Sequence, residues 1–322
     1  MAFKNLLGQN KALEILSGTI AHGRVAHAWL FEGEKGIGKY LTARQFAKAL
    51  NCVSGTTGTL AEPDSCDRCH SCIKIEKQNH PDVLEIQPED GGQIKVETIR
   101  GLEEFFAFKP FEGKYKVVLI DDADRMNPSA ANAFLKTLEE PPRQSVIVLV
   151  SNRLQALLET IVSRCQRVHF TPLPCDDFKK LFGSQDAEFM SRLTGGRPGL
   201  AVDKAFLKER DEALRQFRYL LGSGTESLWE TPEAIEAWLE WAVLFFRDMA
   251  VLSVSPGGYG QLLVNTDLES ELRQIGDRTG LANILELVDE LFRLKKLIKF
   301  NLNKHLTQLY IQVTLKKKLL RQ

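Results

Sequence analysis

The chain has 322 residues, enough for two or three domains, and its composition (43% hydrophobic, 26% charged) is that of ordinary soluble globular proteins. Basic and acidic residues balance, so no overall charge directs the chain to nucleic acid or to a membrane. No apolar run reaches the roughly 18 residues of a membrane span, and the N-terminus lacks the apolar core of a signal peptide. We therefore expect a cytoplasmic protein without a membrane partner, whose six cysteines are thiols or metal ligands rather than disulfides.

The first 170 residues alternate short apolar runs with helical patterns, which predicts a parallel α/β sheet. The predicted strands cover residues 29–31, 83–86, 117–120, 146–150 and 168–170. The first strand leads directly into a glycine-rich loop, and a helix from about Lys39 to Leu50 follows this loop. This order places backbone N–H groups at a helix N-terminus, where they can cradle a phosphate.

Residues 33–40 (GEKGIGKY) match the phosphate-binding loop G-x-x-x-x-G-K-[ST] except at the last position. Ser or Thr at this position ligates the nucleotide's Mg²⁺. The hydroxyl of Tyr40 lies at the far end of a rigid ring, too distant from its own backbone to reach that ion. Thr42 cannot replace it, because two helix positions turn the chain by about 200°. A glycine-rich turn without nucleotide ancestry is the alternative. The candidate phosphate contacts are Gly33, Gly36, Gly38 and Lys39.

A second part of the nucleotide site is predicted at Asp121 and Asp122, where the strand 117–120 ends. A carboxylate at such a strand end can hold Mg²⁺ through water, as in the Walker-B pattern. Active ATPases of this architecture usually have Glu at the second position, and Asp122 is one methylene shorter than general-base work favours. Two acids merely solvated at a strand end are the alternative. Asn152 completes the candidate nucleotide site, and whether ATP or ADP still binds there is left open.

Four cysteines are spaced C-x13-C-x2-C-x2-C within an insert of about residues 52–80: Cys52, Cys66, Cys69 and Cys72. Four thiolates suit a closed tetrahedral Zn²⁺ site, and the insert is too polar to fold without a bound metal ion. Residues 66–70 also match the haem-attachment pattern C-x-x-C-H, but that pattern is typical of exported chains and leaves two cysteines unexplained. We predict a structural zinc module, and ordinary thiols at Cys165 and Cys175.

The next helix is predicted to begin at Asn127 and Pro128, as N-cap and first helical residue, and to end before Pro141 and Pro142. Its apolar residues recur at i, i+3, i+4 and i+7, which indicates a face turned to the core. They are Ala131, Phe134, Leu135 and Leu138.

Several motifs of the first 200 residues occur together and in a characteristic order: Gly8-Gln9, residues 27–31 (HAWLF), residues 132–142 (NAFLKTLEEPP) and Ser163-Arg164-Cys165. In these motifs the chain resembles the AAA+ subunits of the bacterial DNA polymerase III clamp loader. The resemblance implies an AAA+ module in a five-subunit ring, with gamma/tau-type motor subunits and delta as partners. Through this complex it implies action on a sliding clamp and on primer-template DNA. It further implies that Arg164 contacts a neighbour's nucleotide in trans.

The second half of the chain is predicted to be helical. Pro172 and Pro174 mark a boundary, which places a helical lid at residues 171–208 and, by the resemblance, an all-α collar domain at 209–322. Family members place a sensor arginine in the lid, but here Pro198 occupies that place and Arg197 precedes it. Residues 293–322 contain nine Lys or Arg and no Asp or Glu, which indicates a solvated helix face or else a DNA or partner contact.

The predicted fold is thus an AAA+ parallel-sheet nucleotide-binding domain over residues 1–170, with its zinc module, a small helical lid and the collar. The favoured function is that of an ATPase-deficient subunit which supports clamp loading. One alternative is a gamma/tau-type motor subunit that hydrolyses its own ATP, against which Tyr40 argues. The other is a zinc-stapled DNA-binding adaptor outside replication, which would leave residues 132–142 and 163–165 unexplained.

Overall fold

The computed structural model describes residues 2–54, 63–88, 92–183, 186–222, 228–254, 262–298 and 303–319. The chain divides into two compact units, Met1–Gly183 with Gly196–Gly199, and Ser184–Gly195 with Leu200–Gln322. The predicted boundaries at residues 170 and 208 stay predictions, and the residues between them contribute to both units. No helix of the described residues combines the length and the apolar character that a membrane span needs.

The first unit is built on a five-stranded parallel sheet with strand order β2-β3-β4-β1-β5. The strands are β1 (Ala28–Glu32), β2 (Val83–Ile86), β3 (Lys116–Ile120), β4 (Ser145–Ser151) and β5 (Gln166–His169). Every residue of β1, β3 and β4 is buried, as expected for parallel strands covered on both faces. The predicted parallel sheet is therefore confirmed.

The last strand differs from its prediction, because it begins at Gln166 and ends at His169 rather than covering residues 168–170. Gln166 and Arg167 pair with β1 although their side chains are exposed, so an apolar pattern does not mark them. Phe170 lies just beyond the strand, but its N–H still donates to the carbonyl of Glu32 (2.9 Å).

Helices cover both faces of this sheet, and alternate residues of β1 enter different apolar clusters. Trp29 and Phe31 pack in one cluster with Phe46 of the helix after the glycine-rich loop, whereas Leu30 packs in the other with Phe134. The helices of this unit are α1 (Asn10–Ala21), α2 (Lys39–Asn51), α3 (His70–Glu76), α4 (Val96–Phe106), α5 (Pro128–Glu139), α6 (Glu159–Val162) and α7 (Cys175–Phe182). The predicted start of α5 is confirmed, since Asn127 Oδ1 accepts from the Ala130 N–H (2.7 Å).

The regular secondary structure described in the second unit is all helical. Its core includes Phe217, Trp238, Phe245 and Phe246. Its helices are α8 (Ala187–Leu193), α10 (Lys204–Leu221), α11 (Pro232–Val254), α12 (Glu269–Thr279), α13 (Leu281–Ile298) and α14 (Lys304–Leu319); the short α9 (Pro198–Ala201) belongs in part to each unit. The predicted all-α second half is confirmed for these residues.

Candidate functional site

The glycine-rich loop joins β1 to α2 in the way the motif requires. Gly36 and Gly38 have φ values of +83° and +96°, which side-chain-bearing residues rarely adopt. Gly33 has no room for a side chain, because a Cβ atom there would lie 2.6 Å from the carbonyl oxygen of Phe170. These positions of the loop therefore favour glycine, and phosphate binding there stays a prediction.

Lys39 is buried and turns back onto its own loop. Its Nζ donates to the carbonyl oxygens of Gly33 (2.8 Å) and Glu34, and to Oδ1 of Asn152 (2.8 Å). Burial lowers the pKa of Lys39 to about 8, although nearby carboxylates, Asp121 first among them, oppose the shift. All three ammonium donors are thus engaged within the chain.

Asn152 connects Lys39 to the acids at the end of β3. Its Nδ2 donates to Oδ1 of Asp122, while its Oδ1 accepts from Lys39. Asp121 lies next to this bridge, and its burial, together with the negative charge of Asp122, raises the pKa of Asp121. The structure therefore brings together three distant parts of the sequence: Lys39, the pair Asp121 and Asp122, and Asn152. Their role in nucleotide binding stays a prediction.

Asp124 is a further residue of this cluster, and it was not predicted from the sequence. Its buried carboxylate accepts from the Asn152 N–H (3.0 Å), from Ser151 Oγ (3.2 Å) and from Arg153 Nε (3.1 Å). It thereby fixes the backbone that presents Asn152. The available signal was the third acid after β3, in the run Asp121-Asp122-Ala123-Asp124.

Tyr40 sends its hydroxyl to β2. It donates to Glu85, which also accepts from Arg44 (3.0 Å) and from Gln78 (2.8 Å), and the Arg44 guanidinium lies 5.2 Å from the centre of the Tyr40 ring. Burial, reinforced by the bond to Glu85, raises the pKa of Tyr40 to about 12. Thr42 is also engaged, because its Oγ1 donates to the carbonyl of Gly38 (3.0 Å). Both hydroxyls that follow Lys39 therefore have partners inside the chain.

The segment Gly196–Gly199 packs against the glycine-rich loop. The N–H of Gly199 donates to the carbonyl of Gly36 (2.8 Å), and a Cβ at Gly199 would lie 2.9 Å from the Cα of Gly36. Arg197 forms an ion pair with Glu34 of the loop (3.5 Å). The arginine that precedes the expected sensor position thus lies at the loop.

Arg164 follows the short helix α6 on the surface, and 37% of its side chain is exposed. Its NH1 donates to the carbonyl of Thr160 (3.0 Å) and its NH2 to Glu139 (2.8 Å). The two neighbours of Arg164 are turned elsewhere: Ser163 Oγ donates to Thr160, and Cys165 packs against the apolar cluster that contains Phe134. The motif at residues 163–165 therefore presents its arginine outward.

The four cysteines of the insert converge. Their sulfur atoms all lie within 4.8 Å of one another, and the sulfurs of Cys52 and Cys69 are 4.0 Å apart. Tetrahedral Zn²⁺ with Zn–S bonds of ~2.3 Å would separate its sulfurs by about 3.8 Å, so the donor set fits a closed metal site. Burial disfavours the Cys66 thiolate, but hydrogen bonds from the Arg68 N–H and the Ser54 hydroxyl lower the pKa of Cys66 to about 6. Residues 55–62 of the insert lie outside the described residues.

Three acids of the insert connect it to the rest of the unit. Lys48 of α2, almost fully buried, pairs with Asp67, between the cysteines, and with Glu76 of α3 (2.9 Å). Asp64 accepts from the N–H groups of Phe3 (2.8 Å) and Lys4 (3.2 Å). No sequence motif marks these residues, because a single Lys, Asp or Glu has no characteristic spacing. Cys165 and Cys175 lie outside the cluster, as predicted.

Part of the basic C-terminal segment is paired with acids. Lys295 bonds Glu240 (2.8 Å) and Lys318 bonds Glu286. Residues 299–302 and 320–322 lie outside the described residues. The choice between a solvated face and a DNA or partner contact stays open.

Comparison with known proteins assigns the chain to a family. The family model described as "DNA polymerase III, delta subunit" matches residues 8–174. The chain belongs to this family. Over 302 residues the chain is 31% identical to the delta' subunit of DNA polymerase III from Pseudomonas aeruginosa, an alignment that covers 87% of this chain and 88% of that protein.

Other relatives match a smaller share of the chain. The delta' subunit of Bacillus subtilis is 38% identical over 205 residues, which are 63% of this chain and 60% of that protein. The tau/gamma subunit of Haemophilus influenzae is 39% identical over 171 residues, which are 53% of this chain but only 24% of that longer protein. The resemblance to the DNA polymerase III clamp-loader family that the motifs predicted is confirmed, and so are the parallel-sheet first part and the helical second part of the predicted fold class.

Proposed function

We propose that this chain is the delta' subunit of the DNA polymerase III clamp loader and that it supports clamp loading without hydrolysing ATP itself. In this role it joins gamma/tau-type motor subunits and delta in a five-membered ring. The ring uses ATP to place a sliding clamp on primed DNA. The observation that carries the proposal is the bond of the Tyr40 hydroxyl to Glu85 at the position where a motor subunit needs a Mg²⁺ ligand.

The chemistry of phosphoryl transfer explains why Tyr40 matters. In nucleotide-binding loops of this type, the Ser or Thr hydroxyl holds the Mg²⁺ that neutralises charge on the β- and γ-phosphates. Tyr40 donates to Glu85 and Thr42 donates to its own helix, so neither hydroxyl offers that ligand. Gly33, Gly36, Gly38, Lys39, Asp121, Asp122 and Asn152 would then form a degenerate nucleotide site.

Arg164 is the residue through which the chain would act on a neighbour. Charge builds on the γ-phosphate oxygens during hydrolysis, and an arginine offered in trans accelerates such reactions by roughly 10³ to 10⁵. Its planar guanidinium can bond two phosphate oxygens at once. The outward position of Arg164 on the first unit suits this role.

The metal site completes the proposal. Cys52, Cys66, Cys69 and Cys72 would hold one structural Zn²⁺, because four protein sulfurs leave no open position for a reacting water. This ion would stabilise the insert and take no part in hydrolysis.

A motor subunit of the gamma/tau type is the second candidate. The 39% identity to the tau/gamma subunit of Haemophilus influenzae and the retained Lys39 favour it. It requires Mg²⁺ to be held without the usual hydroxyl, and therefore predicts steady ATP turnover by the isolated chain.

The decisive experiment reconstitutes the complex from this chain, motor subunits and delta. Arg164→Ala should assemble normally, depress hydrolysis at one motor site and slow clamp loading, and Arg164→Lys should rescue little because it lacks the planar fork. Lys39→Ala, the matched control in the degenerate site, should barely alter loading.

Three results would contradict this picture. An Arg164→Ala complex that loads clamps at the wild-type rate removes the trans-acting role. Turnover by the isolated chain that Lys39→Ala abolishes supports the motor subunit instead. Failure to form any defined complex with these subunits favours the DNA-binding adaptor.

A further inference from the structure

The surface position of Arg164 is supported from two sides. Glu139 is the last residue of α5, and Thr160 lies in α6. One guanidinium nitrogen of Arg164 donates to the Thr160 carbonyl (3.0 Å) and another to the Glu139 carboxylate (2.8 Å). The side chain is therefore held between two helices although more than a third of it is exposed.

The two anchor points are rigid relative to each other. Leu138 precedes Glu139, Ile161 follows Thr160, and both of these apolar residues are buried in the same cluster. Cys165 packs against this cluster directly after Arg164. The backbone on both sides of the arginine is thus fixed by the core, while the guanidinium stays at the surface.

We propose that Glu139 is a positioning residue which orients the Arg164 guanidinium before a neighbouring subunit docks. The inference rests on the proposed trans-acting role of Arg164. It assigns a function to the first glutamate of the Leu-Glu-Glu-Pro-Pro motif (residues 138–142), which the helix pattern alone does not explain.

Glu139 can hold the Arg164 side chain and still leave N–H donors of the guanidinium available to a phosphate. A guanidinium has five N–H donors, and Thr160 and Glu139 use two of them, so within the described part of the chain three are left for phosphate oxygens. An unsupported arginine side chain is spread over many rotamers, and this freedom is lost when it binds. A carboxylate that restricts the side chain beforehand reduces that loss, while the exposed ion pair is weak enough to adjust when a phosphate arrives.

The test measures ATP hydrolysis in the reconstituted complex with variants of this chain. Exposed ion pairs of this kind are worth a factor of roughly 1.5 to 5 in an equilibrium constant, so Glu139→Ala should lower kcat at the affected motor site by about two- to five-fold. The KM for ATP should stay unchanged, because Arg164 acts on charge that develops in the transition state. Glu139→Gln, which keeps an oxygen acceptor, should restore part of the rate.

Two further variants separate positioning from a structural or long-range effect. Glu140→Ala is the matched control, since it removes the neighbouring exposed carboxylate, which has no hydrogen-bond or ion-pair partner in the described part of the chain. It should behave as wild type. Glu139→Ala combined with Arg164→Ala should be no slower than Arg164→Ala alone, because a positioning residue has nothing left to orient.

The outcomes distinguish this inference from the function on which it rests. If Arg164→Ala is slow but Glu139→Ala is as fast as wild type or faster, the positioning role is refuted and the trans-acting role stands. If the double variant is slower than Arg164→Ala, Glu139 acts independently of Arg164 and the inference fails. If Arg164→Ala hydrolyses ATP at the wild-type rate in an assembled complex, both proposals fall together.

Discussion

Tyr40 shows how one side chain can change the partner of a hydroxyl within a sequence motif. Like Ser or Thr, it carries a hydroxyl directly after the loop lysine, but its ring carries that hydroxyl to Glu85 on β2. The resulting cluster includes Arg44, which also bonds Glu85 and stacks on the ring. The residue at a position that usually ligates Mg²⁺ here connects α2 to β2, an edge strand of the sheet.

Replacing Tyr40 by Phe should destabilise the chain in a pH-dependent way. Loss of the bond to Glu85 should cost about 1 kcal/mol at pH 8. Unfolded tyrosine loses its proton near pH 10, whereas burial raises the folded pKa of Tyr40 to about 12. The stability that the protonated hydroxyl contributes is therefore fully present below pH 10 and is lost as the pH rises from 10 to 12.

Chemical denaturation of wild type and Tyr40→Phe between pH 8 and 12 measures this difference. Tyr115→Phe is the control, because the Tyr115 hydroxyl has no hydrogen bond among the described residues and should matter little at pH 8. A stability difference between wild type and Tyr40→Phe that stays constant up to pH 12 would contradict the buried, bonded hydroxyl.

At the scale of elements, α5 carries both the family motif and the anchor of Arg164. Its first turn depends on Asn127, whose side chain accepts from the Ala130 N–H. Its last residue, Glu139, bonds Arg164. The start of the helix is therefore set by local capping, whereas its last residue contacts Arg164, which follows α6.

Asn127→Ala should lower the free energy of unfolding by about 1 kcal/mol, because the cap satisfies an N–H group that the helix cannot. Asn132→Ala is the matched control within the same helix, since Asn132 is exposed and alanine favours helices. That control should be neutral or slightly stabilising. Urea denaturation of both variants tests the cap, and equal effects of the two substitutions would refute it.

At the scale of the whole molecule, the cysteine insert also contacts the N-terminal residues and α2. Asp64 holds the backbone of Phe3 and Lys4, and Phe3 is buried in the apolar cluster beneath the glycine-rich loop's helix. Asp67 and Glu76 pair with the buried Lys48 of that helix. The chain's first residues and α2 both depend on the order of the insert.

Metal removal should therefore loosen the N-terminus as well as the insert. We expect one Zn²⁺ per chain in protein purified without a metal-affinity tag, and a lower melting temperature after chelation, because structural zinc contributes folding free energy. Hydrogen exchange should accelerate at Phe3 and Lys4. Cys69→Ser should reproduce these effects. Cys175→Ser is the control, because Cys175 lies outside the cluster, and it should leave the protein unchanged. Absence of stoichiometric zinc, or the presence of covalent haem, would refute the zinc site.

The sequence alone determined the features that local patterns encode. The glycine-rich loop, the four cysteines and the Asn127 cap are defined by residue types at short, constant spacings, and the parallel strands by continuous apolar runs. These patterns were sufficient for the fold class and the family. Where exposed polar residues such as Gln166 and Arg167 replaced the apolar run, the predicted strand was displaced.

Only the tertiary structure decided which side chains meet. Asn152 joins Lys39 across 113 positions of sequence, Tyr40 reaches Glu85 across 45, and Arg164 reaches Glu139 across 25. No spacing in the chain encodes these contacts, because they arise when parallel strands and packed helices bring distant loops to the same place. The partner of each of these side chains therefore depends on the folded sheet and its helices.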